Sequence, residues 1–373
     1  MIECSELPIR EIKRAELQWE RRLHRKTGTD INRAGLGQML QEVREVENIS
    51  SQDIKGLASR IKRRKHADAN DLIKLSYGFQ QSAENISEFV RITGAINVIV
   101  KEFTGNDSDL QQLAGECLCN LTLGEEVCCE RVVTFAGTYL ITFLENLNNR
   151  VLNNICIWTL QNIIASGPKA MKAIHSKGIV ASLQRLLAEA PDSELLDEVL
   201  LTLELMLDYE DSCLSKAFIL TRMLPEVLTK PCRLNGLKLL YKCLKLTNFE
   251  TLDNHIAQLV VDRCVENLVP VAEKKDPSSY HVTIILCVRI LANLIALSES
   301  CLEKLINECV NGRISFCDLF QFCSNDGQDR VCREMLWLFG NIYKSASKQQ
   351  MNRFLEHDNF TKNLAVPRVL LLD

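Results

Sequence analysis

Residues 90–103 read VRITGAINVIVKEF, and two further stretches align with them without gaps: VTFAGTYLITFLEN at 133–146 and IHSKGIVASLQRLL at 174–187. Their shared glycines are Gly94, Gly137 and Gly178. In each copy a short apolar stretch ends at the glycine and a second amphipathic stretch begins. Glycine suits a sharp turn between helices because it has no Cβ to clash, either at positive φ or at a close approach. A polar break follows each copy: GNDSD (105–109), NLNNR (146–150) and APDSE (190–194). These are turn formers and helix-cap candidates.

Beyond each break lies a third apolar-periodic stretch: LQQLAGECLCNLT, VLNNICIWTLQNIIA and LLDEVLLTLELML. Looser copies follow as RLNGLKLLYKCLKLT (233–247), YHVTIILCVRILANLIAL (280–297) and DRVCREMLWLFGNIYK (329–344). Three helices in roughly 42 residues, the interval at which the glycines recur, fall in the HEAT/armadillo range of repeat lengths. Such units bury their apolar faces only by stacking. The expected fold is therefore all-α, a right-handed armadillo/HEAT-like solenoid of about seven three-helix repeats. Residues 67–365 form the solenoid, behind a basic helical segment at 1–66 and ahead of a tail at 366–373.

Composition agrees. Of 373 residues only 16 are Gly and 8 Pro, and aromatics are 6%, a balance that favours helices. No run of 18 apolar residues occurs. The nearest, IILCVRILANLIAL (284–297), is interrupted by Arg289, so no membrane span is expected. The N-terminus, MIECSELPIREIKR, has no apolar signal region. Sixteen cysteines without CxxC pairs or Cys/His metal spacings read as small core residues in a reducing compartment. No GxxxxGK[ST], GxSxG or HExxH motif is present, and the six histidines form no catalytic pattern, so a binding protein without cofactor is expected rather than an enzyme.

Net charge is −4 but unevenly spread: residues 1–66 carry 15 Lys+Arg against 10 Asp+Glu, and the remainder 29 against 38. A basic head precedes an acidic body. Its first cluster includes Arg21, Arg22, Arg25 and Lys26, its second Lys62, Arg63, Arg64 and Lys65. Solvated helix face, nuclear import signal and partner site are the readings open to it. The acidic body and the lack of an aromatic-flanked basic surface argue against nucleic acid.

Trp158 lies two residues from the buried-stripe Leu160, about 200° round a helix. It and Asn162, one turn later, share a face that stacking turns into the wall of a groove. With this pattern, Trp158-Thr-Leu-Gln-Asn162 and Trp337-Leu-Phe-Gly-Asn341, each followed by Ile, the chain resembles the importin-alpha nuclear import adaptors. In that family third helices present a Trp and an Asn to a nuclear-localisation peptide. The resemblance implies that Trp158, Asn162, Asn120 and Glu116 line a groove for basic linear cargo, with a weaker site at Trp337, Asn341 and Asn293. It also implies that the basic head binds importin-beta and that the protein works in cytoplasm and nucleus. Physically, an Asn amide can clamp a peptide backbone, and Trp faces hold the aliphatic stems of Lys or Arg. The chain departs from the family pattern at Glu116, Leu201, Leu205 and Arg289, which replace the expected Trp or Asn. A divergent armadillo scaffold that reads no import signal, similar to the metazoan proteins labelled as transmembrane and coiled-coil domain proteins, is the alternative.

Overall fold

The computed structural model describes residues 48–189, 193–207, 218–230, 234–247, 252–274 and 280–357. Within them the chain forms eighteen α-helices and one π-helical turn, without a strand. It divides into two compact units, residues 1–213 and 214–373.

The N-terminal unit contains α1 (Ser51–Arg64), α2 (Ala69–Gln81), α3 (Ala83–Arg91), α4 (Ala95–Phe103), α5 (Ser108–Leu121), α6 (Glu126–Leu144), α7 (Arg150–Ser166), α8 (Pro168–His175), α9 (Ile179–Glu189) and α10 (Ser193–Met206). The third helices α2, α5, α7 and α10 pack one against the next. The polar breaks supply caps: Asp107 accepts from two backbone amides of α5, and Asn149 accepts from Leu152 N of α7. An uncapped helix start leaves backbone donors unpaired, so these short side chains fix where each third helix begins.

Gly94 and Gly178 adopt φ of 90° and 92° at the starts of α4 and α9, the left-handed conformation expected of the turn. Gly137 behaves differently. It lies inside α6, which runs unbroken for 19 residues and fuses the first and second helices of its repeat. A Cβ there would sit 2.8 Å from Lys177 Cδ and 3.2 Å from Ile174 Cδ1, so Gly137 serves close approach by the next repeat rather than a turn. The same α6 contributes Glu126, whose Oε1 accepts from Lys169 N at 2.7 Å and caps α8 across repeats. Glu126→Ala is expected to lower stability by about 1 kcal/mol, the usual loss for a helix cap. An unchanged urea midpoint would contradict this role.

By length and apolarity α6 is also the one described helix that would cross a bilayer. Half of that stretch is buried within the fold, with Val132, Val133, Ala136 and Leu140 in the core. That is the pattern of a solenoid's interior helix. Edge-on ring pairs join α2 to α3 through Phe79 and Phe89 (5.0 Å) and α4 to α6 through Phe103 and Phe143 (4.9 Å).

The C-terminal unit begins with a π-helical turn (Ile219–Met223) running into α11 (Leu224–Thr229). Pro225, which has no N–H to continue an α-helical ladder, stands two residues past the end of this wider turn. Then come α12 (Leu234–Thr247), α13 (Asn254–Lys274), α14 (His281–Leu297), α15 (Glu299–Val310), α16 (Phe316–Asn325), α17 (Asp329–Ser345) and α18 (Lys348–His357). Its third helices are α12, α14 and α17, again packed in succession. With the four of the first unit they make seven, one for each expected repeat.

Twelve of the thirteen described cysteines are buried, all as free thiols. Burial raises the thiol pKa of Cys117 and Cys156, and pushes Cys243 and Cys323 up to about 12. These groups stay protonated in the folded chain while an unfolded thiol ionises near pH 9.0. Above that pH the unfolded state binds fewer protons than the folded one, so stability should fall as pH rises from about 9 towards 12. Urea midpoints across that range test it. Substituting Ser at Cys243 and Cys323 should flatten the slope.

Candidate functional site

Each third helix of the first unit hides one stripe against its own repeat and leaves the opposite one open. On α7 the buried stripe includes Cys156, Leu160 and Ile163, all fully buried. The opposite positions, three and four residues apart and so on one face, are Val151, Asn154 and Trp158. Trp158 is half-buried there. The equivalent stripe on α5 is Asp109, Gln112 and Glu116, and on α10 it is Glu194, Asp197 and Leu201. Gln112 Nε2 donates to Glu116 Oε1 at 3.2 Å, holding that carboxylate along the stripe. Neither α5 nor α10 contains a Lys or Arg. The indole is therefore flanked in both directions by carboxylate-bearing helices.

The asparagines are placed differently from expectation. Asn162 is 5% exposed, and its Nδ2 donates to Thr122 Oγ1 (3.0 Å) and Cys119 O (3.3 Å) at the end of α5. Asn120 is 2% exposed and donates to Ser76 Oγ (2.8 Å) and Ser76 O (3.2 Å) on α2. Asn341 donates to Ala292 O of α14 at 2.8 Å, and Asn293 to Arg289 O of its own helix at 2.7 Å. Burial takes Asn120 and Asn162 out of the clamp role expected of them, while Asn293 and Asn341 are half-buried and each donates an amide hydrogen to a helix carbonyl. In Asn120, Asn162 and Asn341 the side chain lies on the flank facing the preceding third helix, and its amide satisfies polar groups there. Gln161, fully buried, does the same towards the following helix, donating to Glu198 Oε2 (2.7 Å) and Thr202 Oγ1 (3.1 Å) of α10. Side-chain amides thus bind α2 to α5, α5 to α7 and α7 to α10.

In the second unit the open stripes have the other sign. Lys238 and Lys245 stand on α12, opposite Leu237, Leu240 and Leu244 of the core. On α17, Arg330, Arg333, Trp337 and Lys344 share one face, and Trp337 is 42% exposed. Between them Arg289 of α14, at the position of Trp158, is paired with Glu334: its Nε donates to Oε2 at 2.9 Å and a second bond joins NH2 to Oε1. That pairing raises the guanidinium pKa and compensates the charge of Arg289. Cations beside Trp337 disfavour a basic ligand at the second expected site, Trp337 with Asn341 and Asn293. The signs of the stripes are present in the sequence at three- and four-residue spacings, hidden when only Trp and Asn positions are compared.

Of the basic head, Arg21, Arg22, Arg25 and Lys26 lie outside the described residues. Lys62, Arg63, Arg64 and Lys65 close α1, which packs into the first unit through Ile54, Ala58 and Ile61. Packed structure thus starts inside the segment assigned to the head. Arg64 pairs with the nearly buried Asp71, which Arg60 also meets at 2.5 Å. Lys62, Arg63 and Lys65 remain exposed.

No known protein-family model matches the chain. Among solved structures, an engineered protein matches 83% of this chain and 72% of its own length, with a TM-score of 0.59 and 18% identity. A computationally designed armadillo repeat protein for modular peptide recognition matches 77% of this chain and 99% of its own, with a TM-score of 0.41 and 14% identity. A designed armadillo repeat protein in complex with the peptide (KR)4 gives the same figures. The first likeness concerns the fold alone. By its own helices, each unit of this chain is an all-α, armadillo-like stack of helical repeats.

Proposed function

We propose that this chain is a peptide-binding armadillo-like adaptor whose first unit takes an extended Lys/Arg-rich segment of the nuclear-localisation type. The observation that carries this reading is the half-buried indole of Trp158 set between the carboxylate stripes of α5 and α10. A lysine stem lies well on an indole face, and its ammonium then points towards Glu116, level with the indole on α5, while Glu194 and Asp197 add negative charge from α10. Lys62, Arg63 and Lys65 are exposed for a transport receptor of the importin-beta type, which would move the complex between cytoplasm and nucleus.

Titrating the full chain with a labelled lysine-rich peptide tests the groove. Saturable binding that Glu116→Lys with Glu194→Lys abolishes supports it, and binding that survives both reversals removes it. Mixing the chain with purified importin-beta, with and without Lys62→Glu, Arg63→Glu and Lys65→Glu, tests the transport role separately. The second reading, an armadillo scaffold that reads no import signal, is favoured by the asparagine amides, which hold neighbouring helices instead of facing the open side. Peptide binding without importin-beta binding would select it.

A further inference from the structure

The second unit carries a surface that this function does not use. On α12 and α17 the open stripes present Lys238, Lys245, Arg330, Arg333 and Lys344, and no ion pair among the described residues engages any of them. Arg333 Nε donates only to Asp329 O of its own helix. Between the two helices, Arg289 is neutralised by Glu334, so the charge comes from the two flanks. The three third helices of this unit carry seven Lys+Arg against two Asp+Glu, where α5, α7 and α10 carry one against six. Trp337, 42% exposed, and Leu336, 43% exposed, add apolar surface beside the α17 cations.

We infer that the third-helix face of the second unit is a docking surface for a short acidic linear peptide, an Asp/Glu-rich segment with an apolar side chain among its carboxylates. Charge complementarity selects the sign. The exposed indole selects a ligand that is partly apolar. Packed helices lie about 8–10 Å apart, the length of about three extended residues, so the two spacings from α12 through α14 to α17 take about six residues of ligand. A protein segment fits this surface better than a nucleic acid. The chain as a whole is acidic, with a net charge of −4, so a long polyanion gains little beyond the cationic face, whereas a short peptide needs only that face. The surface is independent of Trp158, so one chain would hold two linear segments of opposite charge.

The test is fluorescence anisotropy on the full chain with a labelled peptide of about nine residues that alternates Glu with a central Leu. A lysine-rich peptide and a single-stranded oligonucleotide of equal charge are measured beside it. Wild type is expected to bind the acidic peptide saturably and more weakly as salt rises. Arg333→Glu with Lys344→Glu should weaken binding at least about tenfold, as should Lys238→Glu with Lys245→Glu. All four cations are at least partly exposed, and unaltered thermal melting of each variant separates lost contact from lost fold. Absence of acidic-peptide binding in wild type, indifference to both reversals, or displacement of the peptide by the oligonucleotide would each overturn the inference. Because the lysine-rich peptide is read on the same samples, the outcome on one unit does not obscure that on the other.

Discussion

Trp158→Ala is expected to weaken binding of a lysine-rich peptide by about 2–3 kcal/mol, roughly 30- to 150-fold, the range of an aromatic hot spot. The indole is the one aromatic surface on the open stripe of α7, and the stripes on either side bring carboxylates. Removing the ring takes away the surface on which a lysine stem lies, while Glu116 and Glu194 keep their attraction for its tip. The remaining affinity should then depend more steeply on salt, since exposed charges are screened and the apolar contact is not. Titration calorimetry at two ionic strengths measures both effects. Equal dissociation constants for wild type and variant would show that the peptide, if bound, lies elsewhere.

The second large effect is on stability. Asn162→Ala should lower the unfolding free energy by about 2 kcal/mol, because the Nδ2 bonds to Thr122 Oγ1 and Cys119 O are lost in a site closed to water. Cys119 O keeps the Thr122 hydroxyl at 2.6 Å, which limits the loss to one stranded acceptor rather than two. Peptide affinity should hardly change, as the amide is 5% exposed. Asn341→Ala removes one bond in a half-buried setting and should cost less. A urea midpoint that stays put while peptide binding disappears would return Asn162 to the role of backbone clamp.

These two variants separate residues that the sequence joins. Trp158 and Asn162 sit one turn apart, and a helical wheel gives them a common side. The wheel has no neighbours on it, so it cannot distinguish the open face that holds Trp158 from the flank where α5 packs. One carbonyl end on the adjacent helix turns a candidate ligand group into a structural one. The same blindness affects Gly137. Its alignment with Gly94 and Gly178 is real, yet α6 continues through it, and the space it leaves is filled by Lys177 of the following repeat.

Repeat length, the order of helices, the caps at Asp107 and Asn149 and the buried apolar stripes were all set by sequence. Each depends on residues within a few turns of one another: local propensity, capping chemistry and a 3.6-residue period. The pairing of Arg289 with Glu334 and the burial of Asn120 and Asn162 required the tertiary structure. They depend on residues from successive repeats, and only stacking of one repeat on the next brings such groups within hydrogen-bonding distance or leaves them facing solvent.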